Sequence, residues 1–341
     1  MEQLKEIKQP RRILILDGMN QFIRNFIVVG VVNDNGEFFG GVFGVLQTIK
    51  HLVEIFNPNI VIWCWEGKNS GKRRREVFSE YKEGRKTRGS LSKVFEFSTP
   101  EEEKQNFVAQ LLKTKEYFTI LPVYQLEIEN LEADDVIAYI SNNLFKDDEK
   151  IIVSSDKDYY QLIDEKTRVY RPVKKEIITK EEVLKRTFVY PVNHALLKSA
   201  IGDTSDGIPK LKKGLGEKTL VKMFPFLNED NIYTIEDLIN YSEQHKEEEK
   251  YQVFLTEDSK KTLERNFDLV QLRNHNINSQ SVDKIKSLLI NQKPMLSTSQ
   301  LMILFLKDHL QSQIKRLDDW HRLFLRLNWQ FNKIENEGDL A

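Results

Sequence analysis

The sequence of 341 residues has little of several features that define protein classes. A single cysteine, Cys64, excludes a disulfide framework and a zinc site built on several cysteines, and its apolar surroundings predict a buried thiol. No apolar run is long enough to span a bilayer, and the N-terminal residues contain no apolar signal segment. Net charge is nearly absent, since 51 Lys and Arg stand against 52 Asp and Glu. These absences predict a soluble cytoplasmic protein, and the neutral balance by itself argues against a nucleic-acid binder.

Short apolar runs alternate with segments of helical spacing in the first half of the chain. The predicted strands are Arg12–Leu16, Ile60–Trp65, Phe118–Tyr124 (weakened by Pro122) and Ile151–Val153. The predicted helices are Gly41–Phe56, Glu101–Tyr117 and Glu132–Leu144. This alternation predicts an α/β fold with a mostly parallel central sheet flanked by helices. From about Glu181 onward the pattern is helical, with one hairpin rich in Gly and Lys.

Acidic residues follow the predicted strands where each strand ends. Asp17 follows the first strand, Glu66 follows the second, and Asp156 and Asp158 follow the last one. In open parallel sheets, the carboxyl ends of the strands meet at one edge, where active sites lie. We therefore expect these four carboxylates to lie together.

Five more acids complete the pattern, and they are Glu132, Asp134, Asp135, Asp203 and Asp206. Each acid alone is compatible with a helix cap or a solvated turn. Nine clustered carboxylates would repel one another unless cations lay among them. Oxygen ligands suit Mg²⁺, and the sequence has no His cluster or CxxC motif for zinc. The pattern predicts two divalent ions about 4 Å apart, an arrangement that hydrolyses phosphodiesters.

Basic residues are concentrated in two segments. Between Glu66 and Lys93, ten Lys and Arg stand against four Glu, a net charge of +6. Tyr81 lies within this segment and could stack on a base. A connection of this length within a compact domain usually has a function, so we expect the segment to bind phosphate. The alternative is a solvated, flexible loop. The second segment is a hairpin whose glycines allow close approach to a phosphate and whose residues are Lys210, Lys212, Lys213, Gly214, Gly216 and Lys218.

Five motifs in this order resemble the 5′-nuclease (flap endonuclease) superfamily. They are ILILDGMNQFIR, WEGKNSGKRRREVFSEYKEGRK, LEADDVIAYI, VSSDKDYYQL and IGDTSDGIPKLKKGLGEKT, and they span about residues 12–225. The chain is most similar to phage replication 5′-exonuclease/RNase H enzymes and to the 5′-nuclease domain of bacterial DNA polymerase I. The resemblance implies a PIN-like nuclease core at 12–186 with a helical arch at about 67–107. It also implies a helical region at 187–290, with a helix-three-turn-helix hairpin at about 200–225, and a C-terminal helical extension at 291–341.

The resemblance also implies roles for individual residues. The first metal would be held by Asp17, Glu66, Glu132 and Asp134, and the second by Asp156, Asp158 and Asp203, with Asp135 and Asp206 nearby or acting through water. Arg74 and Lys82 would be the cationic pair that steadies the scissile phosphate, Arg24 would lie near the same phosphate, and Tyr81 would stack on the terminal nucleotide. The hairpin would grip duplex backbone and could hold K⁺. Glu66 stands where the family usually has Asp, so its reach is one methylene longer.

The implied function is a structure-specific 5′-nuclease that removes RNA primers and flaps in DNA replication. The resemblance implies two Mg²⁺ ions, with Mn²⁺ as a substitute, and branched duplex DNA and RNA–DNA hybrids as substrates. It implies a monomer in the cytoplasm of a bacterium or of a phage-infected host. The alternatives are an endoribonuclease on a related acidic fold and a weak or inactive DNA-binding accessory protein. Large apolar residues in Leu301–Phe331 predict either packed core or a docking surface for a sliding clamp or a single-strand-binding protein.

Overall fold

The structure, a computed structural model, describes residues 10–83, 90–273, 277–314 and 317–336. Its strands are β1 (Arg12–Asp17), β2 (Ile60–Trp65), β3 (Tyr124–Glu127), β4 (Glu149–Val153), β5 (Thr167–Arg171) and β6 (Glu176–Ile178). They form a six-stranded sheet in the order β3-β2-β1-β4-β5-β6. Neighbouring strands are parallel except for β5 and β6, which are antiparallel. The predicted α/β fold with a mostly parallel sheet is confirmed.

Helices surround the sheet and form most of the second half of the chain. The helices of the first half of the chain are α1 (Gly18–Val28), α2 (Gly40–Phe56), α3 (Lys72–Val77), α4 (Pro100–Phe118), α5 (Ala133–Asn143) and α6 (Lys180–Thr187). The later helices are α7 (His194–Ile201), α8 (Glu217–Met223), α9 (Ile235–Gln244), α10 (Glu249–Gln252), α11 (Glu257–Val270), α12 (Ser279–Asn291), α13 (Thr298–Lys307) and α14 (Leu317–Asn336). Within the described ranges, no helix combines the length and the apolar character that crossing a bilayer requires.

One predicted strand is wrong. Phe118 is the last residue of α4, and the third strand begins only at Tyr124. Residues between them, including Leu121 and Val123, are buried in a turn that contains Pro122. A short buried apolar run has the same composition whether it is strand, turn or helix end, so periodicity could not separate these cases.

Alternate residues of the strands pack on opposite faces of the sheet. Leu14 and Leu16 of β1 belong to the apolar core beneath α1 and α2, whereas Ile13 and Ile15 belong to the core beneath α5. This is the two-residue period of a strand with both faces covered. The C-terminal helices complete both cores, since side chains of α13 and α14 lie in the first and side chains of α12 lie in the second.

Residues between the sheet and α12 form a third core of their own. It is built from α7 to α11, and Phe224 lies at its centre, fully buried and in edge-to-face contact with Phe254 at 4.9 Å. This helical region contacts the first half of the chain through α7 and through α11, which packs against α3. The division into three regions stays a prediction.

Candidate metal centre

Three parallel strands bring acidic side chains to one edge of the sheet. Asp17 is the last residue of β1, Glu66 directly follows β2, and Asp156 lies three residues after β4. Because β1 pairs in parallel with both β2 and β4, these residues share the carboxyl edge. The chain extends the sheet to one side of β1 through β2 and β3 and then to the other side through β4, so a crevice opens at this point.

Asp17 ends a strand and begins a helix without a loop between them. Its Oδ1 accepts the N–H of Asn20 at 3.1 Å and so caps α1. A Cβ at Gly18 would lie only 2.5 Å from the carbonyl oxygen of Cys64 on β2. The Asp-Gly pair therefore fixes the carboxylate against the sheet because only glycine fits the close approach.

The first acidic cluster lies at the N-terminus of α5. Carboxylate oxygens of Glu132, Asp134 and Asp135 lie within 4.8 Å of one another. Arg74 Nη2 donates to Asp135 Oδ1 at 2.8 Å, while its Nη1 donates to Asp135 Oδ2 at 3.0 Å and to Glu132. Lys82 Nζ donates to Glu132 Oε1 at 2.5 Å. Two cations of the protein itself thus offset the charge of this cluster.

The second acidic cluster consists of Asp158, Asp203 and Asp206, whose carboxylate oxygens also lie within 4.8 Å of one another. Lys198 of α7 donates to Asp203 Oδ2 at 2.6 Å and to Asp158. Burial alone would raise the pKa of Asp203, but the charge and hydrogen bond of Lys198 outweigh it and lower that pKa to about 2. Burial disfavours the ammonium of Lys198, yet the two carboxylates raise its pKa, so it stays charged.

The two clusters are parts of one acidic pocket. The hydroxyl of Tyr81 lies 3.1 Å from Glu132 Oε2 in one cluster and 3.3 Å from Asp206 Oδ2 in the other. Asp156 is repelled both by Asp158 of the second cluster and by Asp134 of the first. The structure therefore brings together all nine predicted acids.

Three of the acids have strongly raised pKa values. Burial raises the pKa of Glu66 to about 7, and repulsion from Asp134 and Glu132 adds to the effect. Withdrawal from bulk water likewise raises the pKa values of Asp17 and Asp156 to about 6, with repulsion between acids adding to both. Without added cations, the pocket holds protons close to neutral pH.

The donor atoms of this pocket suit divalent metal ions. Both clusters consist only of carboxylates, the ligands that hard cations prefer, and neither contains His or Cys among the described residues. Asp134 Oδ1 is buried without a hydrogen-bond partner, and the guanidinium of Arg74 lies 3.5 Å away. The longer side chain of Glu66 accepts the N–H of Ala133 at 3.3 Å and thereby reaches the first cluster. The residues present therefore fit a divalent metal centre.

Arg74 does not take up the predicted contact with a phosphate. The side chain is buried, and its Nε donates to the carbonyl of Leu269 at 3.0 Å while the other nitrogens bind carboxylates. Each of the three guanidinium nitrogens thus donates to a partner inside the protein. In this structure Arg74 is the internal counterion of Glu132 and Asp135, and its contact with the scissile phosphate stays a prediction.

The structure does not agree with the prediction that Tyr81 stacks on the terminal nucleotide. Its side chain is buried, with 3% of the residue exposed, so the ring is not presented to a nucleotide base. The phenol points inward because its hydroxyl finds two carboxylates, and the ammonium of Lys82 lies 4.8 Å from the ring centre. Burial raises the pKa of Tyr81 far above its usual range, so the hydroxyl remains a donor.

The remaining basic residues occupy different surroundings. Lys82 has a left-handed backbone (φ 59°) and a partly exposed ammonium at the edge of the first cluster. Arg24 is not brought to the acidic pocket, because its Nη2 donates to Gln21 Oε1 at 2.9 Å and to Thr48 Oγ1 at 3.5 Å. Arg73 forms an ion pair with Asp268 at 3.1 Å. The residues of the basic segment that lie outside the described residues are Arg85, Lys86 and Arg88.

The Lys-rich hairpin joins α7 and α8 beside the second cluster. A cleft of about 560 Å³ is lined by Asp156, Asp158 and Asp203 together with Lys210 of the hairpin. The hairpin turns at Gly214 (φ 86°), and Leu215 anchors it in the third core. The side chains that face solvent are Lys210, Lys212, Lys213 and Lys218. Its position makes a basic surface continuous with the acidic pocket.

Sequence reasoning missed residues that hold the acids in place. Lys198 precedes the GDTSD motif by one helical turn, and a basic residue at this spacing was a usable signal. Tyr159 and Ser154 place their hydroxyls 3.2 and 3.3 Å from Asp17 Oδ2. No local pattern marks these two hydroxyls, since their partner lies at the end of another strand.

Comparison with known sequences agrees with the geometry of this pocket. Residues 12–188 match the family described as 5′-3′ exonuclease, N-terminal resolvase-like domain. The chain belongs to the 5′-3′ exonuclease family. It is 30% identical over 221 residues to a 5′-3′ exonuclease of Bacillus subtilis, which covers 62% of this chain and 69% of that protein. It is 28% identical over 226 residues to the thermostable DNA polymerase I of Thermus thermophilus, which covers 65% of this chain and 25% of the polymerase.

A solved structure shares the fold of this 5′-3′ exonuclease family member. The flap endonuclease of bacteriophage T5, in a pseudo-enzyme-product complex with DNA and metal ions, superposes with a TM-score of 0.59. The alignment covers 88% of this chain and all of that one (100%), at 20% identity. By family, the chain is a nuclease of the 5′-3′ exonuclease type, it shares the fold of the T5 enzyme, and its acidic clusters fit metal dependence.

Proposed function

We propose that this family member is a structure-specific 5′-nuclease that hydrolyses phosphodiesters near the 5′ ends of branched duplex DNA and RNA–DNA hybrids. Its task would be the removal of RNA primers and flaps during DNA replication. One observation carries the proposal: a pocket of nine carboxylates at the carboxyl edge of the sheet adjoins a Lys-rich hairpin. The T5 flap endonuclease of the same fold was solved with DNA and metal ions, which supports the same substrate class here.

Two Mg²⁺ ions are the proposed cofactors, and Mn²⁺ would substitute for them. The proposed ligands of the first ion are Asp17, Glu66, Glu132 and Asp134, and those of the second are Asp156, Asp158 and Asp203, with Asp135 and Asp206 adjacent. Such ions lower the pKa of a water and stabilise charge on phosphate oxygens. The raised pKa values of Asp17, Glu66 and Asp156 support this assignment, because these carboxyls gain most from nearby positive charge.

The cations of the pocket would exchange partners when substrate and metals bind. In this structure the ammonium groups of Lys82 and Lys198 donate to carboxylates of the pocket. Bound divalent ions would neutralise these carboxylates instead. Lys82 has the more exposed ammonium of the two, at 20% against 11% of the side chain, so we assign it to the scissile phosphate. Arg24 would contact the same strand, and Arg74 would keep the first cluster assembled.

The hairpin is the proposed grip on duplex DNA. Four exposed lysines, Lys210, Lys212, Lys213 and Lys218, would bind backbone phosphates, which position a duplex without reading its sequence. Gly214 and Gly216 would let the backbone approach the phosphates, and the turn could hold K⁺. Removing the charges of Lys212 and Lys213 would make the plot of log binding constant against log salt concentration less steep, by an amount that corresponds to about two phosphate contacts.

The C-terminal helices would support a partner contact as well as the core. Ile303 and Leu306 of α13 and Leu325 and Trp329 of α14 are exposed, which supports a docking surface for a sliding clamp or a single-strand-binding protein. Replacing Ile303 and Trp329 by polar residues should abolish stimulation by such a partner while leaving basal cleavage unchanged. We propose a monomer with three regions at 12–186, 187–290 and 291–341.

A cleavage assay tests the proposed activity. The wild-type protein should cut a 5′-labelled flap duplex and an RNA-primed duplex with Mg²⁺ and lose this activity with EDTA. Asp134→Asn should lower the rate at least a hundredfold and still bind branched DNA. Asp147→Asn is the matched control, because Asp147 is a fully exposed acid away from the pocket. Absence of Mg²⁺-dependent cleavage by the wild type would favour the DNA-binding accessory protein instead.

A further inference from the structure

A buried histidine lines the cleft of the second acidic cluster and has no hydrogen-bond partner at one of its ring nitrogens. His194 is the first residue of α7 and is only 3% exposed. It lines the same cleft as Asp158 and Asp203. Within the part of the chain that the structure describes, its Nδ1 is enclosed without a partner. Because a buried polar atom without a hydrogen bond is destabilising, this nitrogen indicates a second state of the protein in which it has a partner.

His194 is a neutral side chain in a fixed position. Burial, aided by the charges of Lys198 and Lys157, lowers the pKa of His194 to about 3, so the ring carries one proton. The tautomer with this proton on Nε2 leaves Nδ1 as a hydrogen-bond acceptor. The ring packs edge to face on Tyr160, with the ring centres 5.6 Å apart, and Tyr160 is itself buried. His194 therefore presents an acceptor that is unused and held in place.

Lys198 lies one helical turn after His194. The two residues occupy positions i and i+4 of α7, whose side chains are neighbours on a helix surface. Among the charges that act on His194, that of Lys198 has the largest effect. A lysine ammonium is carried on a flexible four-carbon chain, so a change of rotamer can turn it from one acceptor to another. The ring of His194 is therefore within reach of this ammonium.

A divalent ion at the second cluster would displace the ammonium of Lys198. This ammonium donates to Asp203 Oδ2 at 2.6 Å and to Asp158, and both acids are proposed ligands of the second ion. An ion bound to them would repel the ammonium, since like charges in a partly buried pocket repel strongly. The Lys198 side chain is 11% exposed, so an ammonium without a new acceptor would be a buried, unpaired charge. Metal binding is therefore more favourable when a second acceptor lies nearby.

We propose that His194 is a positioning residue whose Nδ1 accepts the ammonium of Lys198 when a divalent ion binds the second acidic cluster. The exchange moves one hydrogen bond, and no proton is transferred and no covalent bond changes. His194 thereby favours metal binding without contacting the ion. The proposal rests on the proposed function, since it assumes a divalent ion at the second cluster.

Replacing His194 tests the role of its nitrogen. His194→Phe keeps a planar ring of similar size but removes the acceptor, so one Mn²⁺ ion should bind about fivefold to tenfold more weakly, the effect of one hydrogen bond to a charged group. His194→Asn places an amide oxygen close to the position of Nδ1 and should keep the affinity within about twofold of the wild type. Electron paramagnetic resonance of free Mn²⁺ measures these affinities on the protein without DNA.

A double-mutant cycle with Lys198 identifies the mechanism. In Lys198→Met there is no ammonium to move, so adding His194→Phe should change the Mn²⁺ affinity by less than about twofold. An equal loss in both backgrounds would mean that His194 binds the ion directly or only supports the fold, and it would overturn the proposal. Circular dichroism of each variant confirms that the fold is retained.

Glu217 provides the matched control. It lines the same cleft and offers another acceptor, but the charges that act most strongly on Lys198 are those of Asp158 and Asp203. Any loss of Mn²⁺ affinity in Glu217→Gln should therefore be the same in the presence of Lys198 and in Lys198→Met. A loss that disappears in Lys198→Met would make Glu217 the acceptor and overturn the proposal.

The same titrations distinguish this proposal from the proposed function. A wild type that binds no Mn²⁺ would overturn the proposed metal-dependent function and this proposal with it. Mn²⁺ binding that His194→Phe leaves unchanged would overturn this proposal alone. Binding that His194→Phe weakens only when Lys198 is present supports both.

Discussion

The backbone N–H of Lys82 donates to the carbonyl oxygen of Asp206 at 2.9 Å. The two residues belong to different parts of the chain, one beside α3 and the other in the loop between α7 and α8. Their contact holds Lys82 in a left-handed backbone conformation, with its ammonium on Glu132. The helical region therefore positions a cation of the nuclease half by a main-chain hydrogen bond.

Gly207 should be essential to this contact. A Cβ at Gly207 would lie 3.1 Å from the carbonyl oxygen of Glu80, so Gly207→Ala should push the turn that carries Lys82 away. We expect kcat to fall about tenfold with little change in KM. Gly36→Ala is the control, because Gly36 has a similar positive φ of 82° but no atom within 4 Å. Steady-state kinetics on a flap duplex measure kcat and KM of both variants. An equal loss of kcat in Gly207→Ala and Gly36→Ala would contradict the prediction.

Arg74 should act on stability even without substrate. Arg74→Met leaves the buried carboxylates of Glu132 and Asp135 without their counterion, and breaking a buried pair in this way costs about 3–5 kcal/mol. Arg75→Met removes an exposed charge from the same helix and should change the free energy of unfolding by less than about 0.5 kcal/mol. Urea denaturation with EDTA measures both. Similar stabilities would mean that Arg74 is not the internal counterion.

Lys198 should compete with metal ions for the second cluster. Lys198→Met removes the ammonium between Asp158 and Asp203, so repulsion should lower the melting temperature of the metal-free protein by several degrees. Added Mn²⁺ should then raise the melting temperature more than it does in the wild type. Lys157→Met, at an exposed lysine of the same cleft, should leave both values nearly unchanged. A smaller Mn²⁺ effect in Lys198→Met would contradict the competition.

The metal-free protein should lose stability as the pH rises. The folded state raises the pKa values of Asp17, Glu66 and Asp156 to about 6, 7 and 6, mainly through burial, so it binds more protons than the unfolded state between about pH 4 and pH 7. Stability falls with pH wherever the folded state binds more protons. The urea midpoint with EDTA should therefore be higher at pH 5.5 than at pH 8, and saturating Mg²⁺ should reduce the difference. A midpoint that rises with pH would refute this assignment.

Adjacent residues of α14 should differ sharply in their effect on stability. Phe324 is fully buried, and Phe324→Ala should cost about 3–5 kcal/mol through lost burial and a cavity. Leu325 is 44% exposed, and Leu325→Ala should cost less than about 1 kcal/mol. Thermal or urea unfolding distinguishes them. Equal losses would mean that α14 does not pack as described.

The sequence was most informative where structure is local. The apolar runs of β1 and β2 and the acids that follow them were predictable because a buried parallel strand and the residue at its end are neighbours in the chain. The same logic missed α1, since Asp17 ends a strand and caps a helix with no turn signal between them. Apolar content alone also misplaced the strand that begins at Tyr124.

The ionic partners of the site were beyond local reasoning. Arg74 meets Glu132 and Asp135 about 60 positions later in the chain, at separations of 58 and 61 residues. Burial determines whether an arginine beside acids neutralises those acids or binds a substrate phosphate, and burial is a property of the assembled fold. Tyr81 was misjudged for the same reason, because a tyrosine in a basic segment has the same local sequence whether its ring faces inward or outward.

The packing of the last helix, α14, against the first half of the chain has a consequence for folding during synthesis. Asn59 Oδ1 accepts the N–H of Arg12 at 2.7 Å, and its Nδ2 donates to Gln330 Oε1 at 3.0 Å, which ties the first strand to α14. A ribosome needs tens of seconds to synthesise the residues between these partners. During that time the side of α2 that packs against α14, which includes Phe43, is uncovered. The emerging nuclease half is therefore exposed to chaperones and to aggregation until α14 has left the ribosome.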